Sequence, residues 1–185
     1  MTEGLSDLQL VVGFVDEGMV SHFDELVGRH MDRVRSMIYP MVLNHADTDD
    51  LTQEVFIRVA RGLVRFKRRA SFTTWLHRIT MNTTHSFLRK RNRTMEHMAV
   101  DVPESADGAA CPAGQLAFKE MDAKIRDALS SLSPVLREAI TLTAVNGMAV
   151  KDAAGAAGCL SSTMYWRVHQ ARKILGGKLK DVMDK

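Results

Sequence analysis

Basic residues concentrate in one stretch of this chain. Between Arg58 and Arg93 the sequence places eleven Lys or Arg residues and no Asp or Glu. Apolar and aromatic residues, among them Phe66, Phe72 and Trp75, are interleaved with these cations, which indicates a folded surface and not a plain solvated tail. A cationic track holds phosphates, and nearby pockets or platforms receive unstacked bases. The stretch therefore predicts nucleic-acid binding.

An acidic segment lies directly upstream of the basic one. Asp47 to Glu54 carries four acids and neither Lys nor Arg. This segment needs a different partner, and a protein with a basic surface is the natural one, because charge complementarity sets on-rate and register. A simpler reason for the same acids is that a helix dipole favours them in a first turn, by about 0.3–1 kcal/mol each.

The acids also raise the question of a metal site. Asp-rich helix pairs bind Mg²⁺ in some lyases and transferases. Here, however, Gln53 rather than a carboxylate follows Asp49 and Asp50 one turn later. No second acidic helix supplies the further carboxylates that such a metal site needs. The seven histidines are scattered without ligand spacing, and no nucleophile–base motif or phosphate-cradling Gly loop occurs. We therefore expect no metal, no cofactor and no enzymatic activity.

The C-terminal part of the chain predicts a helix-turn-helix. Val150 to Ala157 forms a short helical pattern, Gly158 to Ser161 a turn, and a longer helix follows. The N-terminal residues of such a second helix face base edges in a major groove. A helical hairpin with merely solvated polar residues is the alternative, and Trp166 either packs inside or touches DNA. The candidate duplex contacts are Ser162, Thr163, Tyr165, Arg167, His169, Gln170 and Arg172.

The periodicity of the chain indicates helices almost throughout, which predicts an all-α fold. Pro40 is expected to kink or end the second helix, and Asp47 to Asp50 to cap the third. Ser71 and Ser133-Pro134 are predicted helix starts. The region from Thr94 to Gln115 loses periodicity and gains Pro and Gly. We expect two small helical domains, 1–94 and 115–185, joined by a flexible linker, 95–114.

The totals are consistent with an intracellular protein. Its 185 residues carry a net charge of +3, and its two cysteines form no CxxC pair. The N-terminus lacks the basic flank and apolar run of a signal peptide, and no apolar stretch approaches the roughly 18 residues of a membrane helix. We expect a cytoplasmic protein with no membrane insertion of its own.

Several of these segments resemble bacterial RNA polymerase sigma factors of the extracytoplasmic-function group. Gly147 to Leu175 resembles their fourth conserved region, which grips the −35 promoter element. Asp49 to Phe56 is similar to the helix that docks onto core polymerase, and Ser71 to Ile79 with Asn82 is similar to the segment that captures the melted −10 element. Order and spacing of the segments match the group as well.

The resemblance assigns roles to the residues. It implies core polymerase contacts at Asp49, Asp50, Gln53 and Glu54, and −35 contacts at the second-helix residues given above. It implies −10 contacts at Lys67, Arg68, Arg69, Arg78, Asn82, Arg89, Lys90 and Arg91. The implied partners are core RNA polymerase, promoter DNA as duplex and as melted strand, and an anti-sigma factor that covers both domains.

The chain departs from the group at two places. The loop at Lys67 to Arg69 carries three cations where relatives often have Gly and an acid, and Tyr165, Trp166 and Gln170 replace residues common in the group. These departures bear on which promoter bases are read. Two other classes stay open from the sequence, a stand-alone helix-turn-helix regulator that binds duplex DNA and a pure interaction protein.

Overall fold

A computed structural model describes residues 4–68, 70–97 and 114–183 of the chain, with side chains at 4–68, 70–94 and 121–178. All regular elements in these residues are helical, which confirms the predicted all-α fold. They are α1 (Asp7–Glu17), α2 (Val20–Val42), α3 (His45–Leu63), α4 (Phe72–His97), α5 (Gly114–Ser130), α6 (Pro134–Ile140), a π-helical turn that continues α6 (Thr141–Val145), α7 (Val150–Ala156) and α8 (Ser161–Met183).

The predicted helix starts at Ser71 and Ser133-Pro134 are confirmed, and the predicted cap of α3 is not. Thr74 N–H donates to Ser71 Oγ at 3.1 Å before α4, and Ser133 precedes Pro134 at the first position of α6. The prediction that Asp47 to Asp50 cap α3 is wrong. The cap is Asn44, whose side-chain oxygen accepts from the Asp47 N–H at 2.9 Å, so the helix begins at His45.

Pro40 neither ends nor interrupts α2. The helix continues two residues further to Val42, and Leu43 closes it in the left-handed conformation with φ 57°. Its N–H donates to Tyr39 O at 2.8 Å. Near a helix C-terminus the missing N–H of proline removes little, because the last turn is closed by the backbone bond at Leu43.

Helices α1 to α4 surround one apolar core. Leu10 of α1, Leu26 and Ile38 of α2, Val55 of α3 and Leu76 of α4 are all completely buried in it. Phe66 and Trp75 pack against its edge. The ring centroids of Trp75 and Phe66 lie 4.9 Å apart. These aromatic rings of the basic stretch therefore contribute to the packing of the fold.

We expect Leu76→Ala to lower the free energy of unfolding by about 2–5 kcal/mol, because the lost side chain leaves a cavity in a close-packed core. Urea unfolding of the full chain, followed by circular dichroism, measures this. The control is Val20→Ala, since Val20 is 64% exposed. Equal effects of the two substitutions would contradict this description of the core.

Helices α6 to α8 form the predicted helix-turn-helix with its supporting helix. Leu132, Leu136 and Ile140 pack against Ala171 of α8. Ala153 and Ala154 of α7 are buried, and Gly158 takes φ +64° in the turn, a left-handed conformation that glycine adopts without strain. The small alanines let α7 cross α8 closely, as the sequence predicted.

The predicted linker is shorter than 95–114 in the structure. Helix α4 extends to His97 and α5 begins at Gly114. Residues 98–113, which hold the rest of the predicted linker, lie outside the described residues. Besides the core of α1 to α4 and the cluster of α6 with α8, a third apolar cluster joins α2 and α4 to α6, α7 and α8.

Candidate nucleic-acid and protein interfaces

The acidic face of α3 points to solvent. Asp50, Gln53 and Glu54 are exposed, while Leu51 and Val55 of the same helix are buried. Two of the four predicted acidic-face residues already have intrachain ion pairs. Arg35 Nη2 lies 2.7 Å from Asp49 Oδ1, and Arg58 Nη2 lies 2.6 Å from Glu54 Oε1. All of these pairs are solvent-accessible, where an ion pair contributes less than about 1 kcal/mol, so a partner can replace them at little cost.

Apolar side chains extend the same face toward the end of α3. Ile57 is 51% and Val64 is 73% exposed, and both follow Asp50 and Gln53 at helical spacing. Exposed apolar residues next to charged ones are typical of protein interfaces. The sequence analysis predicted no role for Ile57, although Ile57 follows the exposed residues Asp50 and Gln53 by seven and four positions and so shares their side of the helix.

The loop before α4 presents part of the cationic track. Lys67 and Arg68 are exposed, and Arg69 lies outside the described residues. Arg68 has φ 55°, an uncommon conformation for a residue with a side chain. Its guanidinium donates to Asp16 Oδ2 of α1 at 3.2 Å. The structure therefore brings the loop against α1 and leaves the Lys67 ammonium outward.

Helix α4 arranges its polar residues in two stripes. The outer stripe is exposed and contains Arg78, Asn82, Arg89 and Lys90. Arg91 is half-buried, with its guanidinium carbon 5.7 Å from the Phe87 ring centroid and Nη1 3.5 Å from Asp47 Oδ2. The first four of these predicted contacts thus share an accessible side of one helix, and Arg91 lies at its edge.

The inner stripe of α4 is polar and buried, which the sequence did not predict. Thr80 and Thr84 are fully buried and donate to the carbonyl oxygens of Leu76 and Thr80 at 2.9 Å. His77 is 3% exposed, and neither ring nitrogen has a hydrogen-bond partner. Burial, with help from nearby Arg33 and His30, lowers the pKa of His77 to about 4. The imidazole is therefore neutral and serves packing, not phosphate binding.

The recognition helix α8 separates a buried face from an exposed one. Met164, Val168 and Ala171 are buried against the other helices. Among the predicted duplex contacts, Ser162, Tyr165, His169 and Arg172 are exposed, whereas Thr163, Arg167 and Gln170 are half-buried. Four of the seven therefore share one accessible face at i, i+3, i+7 and i+10, and the other three flank it.

Trp166 belongs to this exposed face. Its side chain is 59% exposed beside Tyr165, so of the two alternatives for this residue, packing inside is wrong. A large exposed aromatic ring on a cationic helix marks a contact surface, because burying it on binding removes apolar area from water. Trp166 lies four residues after Ser162 and three before His169, which places it on the same side of the helix as those two exposed residues.

No helix within residues 4–68, 70–97 and 114–183 combines the length and apolarity needed to cross a membrane. In the same residues, no three His, Cys, Asp or Glu side chains come together in a way that would hold a metal ion.

Comparison with known proteins bears on both halves of the chain. The family model for Sigma-70 region 2 matches residues 26–94, and the model for Sigma-70 region 4 matches residues 122–175. The ECF RNA polymerase sigma-E factor of Escherichia coli strain K12 is 30% identical over 191 residues, covering 99% of each chain. The ECF RNA polymerase sigma factor SigE of Mycolicibacterium smegmatis is 33% identical, and the aligned region covers 86% of this chain and 62% of that relative.

Solved structures agree in fold. The sigma factor RpoE of Bartonella quintana, in a complex with the anti-sigma factor NepR, superposes with a TM-score of 0.71 at 27% identity, covering 85% of this chain and 96% of that one. CnrH, solved with the cytosolic domain of CnrY, superposes with the same TM-score at 23% identity.

Proposed function

Because this chain belongs to the extracytoplasmic-function family of RNA polymerase sigma factors, which direct promoter-specific transcription initiation, we propose which of its surfaces bind each partner. The observation that carries the proposal is that opposite charges occupy different helices of one folded unit. The acidic face lies on α3 and the basic track on α4, so core polymerase and DNA can be held at the same time.

The acidic face of α3 binds core polymerase. Asp49, Asp50, Gln53 and Glu54 provide the charge that steers the encounter, and the exposed apolar residues Ile57 and Val64 provide area to bury. Charge complementarity governs on-rate and register, while buried apolar contacts sustain the complex. The ion pairs to Arg35 and Arg58 exchange for pairs with the polymerase.

The outer stripe of α4 holds the −10 element as it melts. Asn82 has an amide that both donates and accepts, which suits the edge of an unstacked base. Arg78, Arg89, Lys90 and Arg91 follow the phosphates, and the loop at Lys67 to Arg69 closes over the separated strand. The chain catalyses no covalent step, since phosphodiester synthesis belongs to the polymerase, and it acts in the cytoplasm, where polymerase and promoter are found.

The exposed face of α8 reads the −35 element in duplex form. Arg172 positions the helix on the phosphate backbone, and Tyr165, Trp166 and Gln170 meet the base edges. The aromatic rings favour apolar contact with thymine methyl groups, which only the major groove offers. Ser162, Thr163, Arg167 and His169 complete the contact surface.

We expect Arg172→Ala to weaken promoter binding about tenfold for every −35 sequence, because a phosphate contact carries no sequence information. We expect Trp166→Ala, Tyr165→Ala and Gln170→Ala to change which −35 bases are tolerated. Transcription from a library with a randomised −35 element measures both effects. Lys151→Ala, on an exposed position of α7, is the control. An unchanged base preference in all three base-reading variants would contradict this orientation of α8.

An anti-sigma factor is the further partner we propose. The solved structures that are similar in fold include a sigma factor in complex with an anti-sigma factor. In this chain Met121 and Ile125 lie one turn apart on α5, and both are exposed apolar side chains. They give an inhibitor an apolar strip next to the promoter-reading unit.

Run-off transcription with purified core polymerase tests the proposal as a whole. Promoter-dependent transcript that requires this chain supports it. A stand-alone regulator would instead bind duplex DNA specifically and tightly without polymerase, and the match of residues 26–94 to Sigma-70 region 2 argues against that class. Absence of any promoter-dependent transcript would overturn the proposal.

A further inference from the structure

Helix α1 belongs to the folded unit of α1 to α4, although the Sigma-70 region 2 model begins at residue 26, beyond this helix. Leu10 and Val11 are almost completely buried in the shared core. At Gly13 the helix approaches α2 closely, because a Cβ atom built there would lie 1.8 Å from Nδ1 of His22. Any larger side chain at position 13 would displace His22. Core packing therefore fixes how α1 lies against α2.

Polar contacts at its N-terminal end hold α1 in one position along α2. Ser6 caps the helix, since its Oγ accepts from the Gln9 N–H at 3.3 Å and Gln9 Oε1 accepts from the Ser6 N–H at 2.8 Å. This reciprocal pair satisfies two of the free donors at a helix start. Asp7 Oδ2 lies 2.9 Å from His30 Nε2 of α2. The position of the other end of α1 is therefore defined as well.

The last turn of α1 carries acids against the local preference. The C-terminal end of a helix has a partial negative charge, which makes carboxylates unfavourable there. Asp16 and Glu17 nevertheless occupy this turn, and the turn contains no basic residue. Residues that oppose the local preference of a helix are expected at sites with another role. The cation for Asp16 comes from 52 positions further along the chain, since Arg68 Nη2 donates to Asp16 Oδ2 at 3.2 Å.

The loop between α3 and α4 is fixed at both ends and in its middle. At its start Phe66 packs against Trp75 with 4.9 Å between ring centroids, and at its end Ser71 caps α4. Arg68 lies between them with φ 55°. A left-handed backbone is unfavourable for a residue with a side chain, and it persists only where surrounding contacts determine it. The ion pair with Asp16 is such a contact.

We propose that Asp16 is a positioning residue of the −10 interface, and that it acts by holding Arg68 so that the loop stays in place to receive the separated strand. In this assignment Arg68 anchors the loop to α1, and the exposed ammonium of Lys67 contacts a phosphate. The inference rests on the proposed function for the role of the loop. The ion pair and the left-handed conformation of Arg68 do not depend on that function.

Two roles for Asp16 predict effects of opposite sign. If Asp16 acted only through its charge, it would repel the phosphates near the loop, and its removal would strengthen DNA binding. If it positions the loop, its removal lets Arg68 leave the left-handed conformation, and capture of the strand becomes slower. The side chains of the pair are 43% and 53% exposed, so the expected change is about threefold, as for other exposed ion pairs.

Limited proteolysis of the free chain tests the anchor without polymerase or DNA. Trypsin cleaves after Lys and Arg, and the loop offers it the exposed residues Lys67 and Arg68. Cleavage requires local opening of the loop, so its rate reports how firmly the loop is held. We expect Asp16→Ala to raise the cleavage rate at these bonds about threefold. Asp16→Glu, which keeps the carboxylate, should leave the rate close to that of wild type, and mass spectrometry identifies the bonds.

Glu17→Ala is the matched control for the proteolysis experiment. It removes the same charge from the same turn of α1 and leaves the pair of Asp16 with Arg68 intact. Its cleavage rate should equal that of wild type. An equal increase from Asp16→Ala and Glu17→Ala, or no increase from Asp16→Ala, would overturn the inference whatever the chain does at a promoter.

Base unstacking on a promoter that the chain transcribes is the second readout. With core polymerase and the full chain, 2-aminopurine in place of an adenine of the −10 element becomes fluorescent as it leaves the stack. We expect Asp16→Ala and Arg68→Ala each to slow this rise about threefold. The double substitution should slow it no further, because both changes remove the same contact.

Salt dependence separates the roles of the two loop cations. One phosphate contact contributes about 1 to the slope of log affinity against log salt concentration. Lys67→Ala should therefore lower this slope by about 1, whereas Arg68→Ala should leave it unchanged. Exchange of the pair, Asp16→Arg with Arg68→Asp, should restore the rate of base unstacking, because Asp also tolerates a left-handed backbone.

Four results on the promoter would overturn the inference. They are a faster fluorescence rise with Asp16→Ala, additive losses in the double substitution, a lower salt slope with Arg68→Ala, and failure of the exchanged pair to recover the rate. Absence of any fluorescence rise with wild type would instead contradict the proposed function, while tryptic cleavage would still decide whether Asp16 holds the loop.

Discussion

Reversing Asp50 and Glu54 together to lysine is expected to reduce promoter-dependent transcription on the order of a hundredfold at limiting chain, because like charges facing each other across an interface cost several kcal/mol. Both side chains are exposed on α3, and neither contributes to the apolar core, so the fold should survive the change. Run-off transcription and co-purification with core polymerase measure the loss.

The matched control for this charge reversal is Asp24→Lys, since Asp24 is an exposed acid on the neighbouring helix α2. A second control is Ile57→Ala, which removes apolar area from the same face without changing its charge. It should weaken polymerase binding with little effect on the association rate. Equal losses from Asp24→Lys and from the double reversal would show that net charge, and not the α3 face, governs docking.

The double substitution Arg78→Ala with Asn82→Ala is expected to slow formation of the open promoter complex about a hundredfold, since a charge-assisted phosphate contact and a base contact each contribute a few kcal/mol at most. A template with a pre-melted bubble across the −10 element should restore most of the rate, because flipping and unpairing then no longer limit it.

Ser86→Ala is the control for that experiment. Ser86 lies one turn beyond Asn82 on the same side of α4, and its hydroxyl donates to the Asn82 carbonyl oxygen at 2.8 Å without being a proposed DNA contact. It should leave the rate within about twofold, as exposed substitutions usually do. Failure of the bubble template to rescue the double variant would mean that the two residues act before strand separation.

Most of the fold was predictable because its signals are local. Helical spacing of apolar residues and the helix starts at Ser71 and Ser133-Pro134 depend on a few neighbouring positions. Both starts are confirmed, although only Ser71 makes a side-chain capping hydrogen bond. The cap of α3 was misplaced at Asp47 because several acids and Asn44 compete for the same role within four residues. In the structure Asn44 is the cap, because its side-chain oxygen accepts from the Asp47 N–H and its carbonyl oxygen accepts from the Thr48 N–H.

The packing of α2 and α4 against α6, α7 and α8 was not predictable from the sequence. Met37, Met41 and Met81 have the helical spacing of ordinary core positions in their own helices. No local feature predicts that they pack against residues more than fifty positions further along the chain. Glu138 likewise reads as a solvated acid on a helix surface. Its burial follows from the packing of α6 against α8 and α2, with His85 of α4 beside it, and this is a property of three-dimensional contact and not of spacing.

The assignment of site residues divides in the same way. The exposed stripe of Arg78, Asn82 and Arg89 follows from helical phase, and so does the exposed face of α8. Whether Trp166 turns inward or outward depended on what the other faces of α8 pack against. The roles of all these residues in binding stay predictions that the experiments above decide.

The continuity of α4 fixes a length. From Arg78 to Arg91 the helix rises about 20 Å at 1.5 Å per residue, which equals about six base pairs of duplex. No proline or glycine interrupts this stretch, so the sequence offers none of the usual causes of a kink that would vary that distance. When a promoter is bound along α4, the point at which its strands separate would therefore lie a constant number of nucleotides from the phosphates bound upstream. This number would not depend on the bases in between.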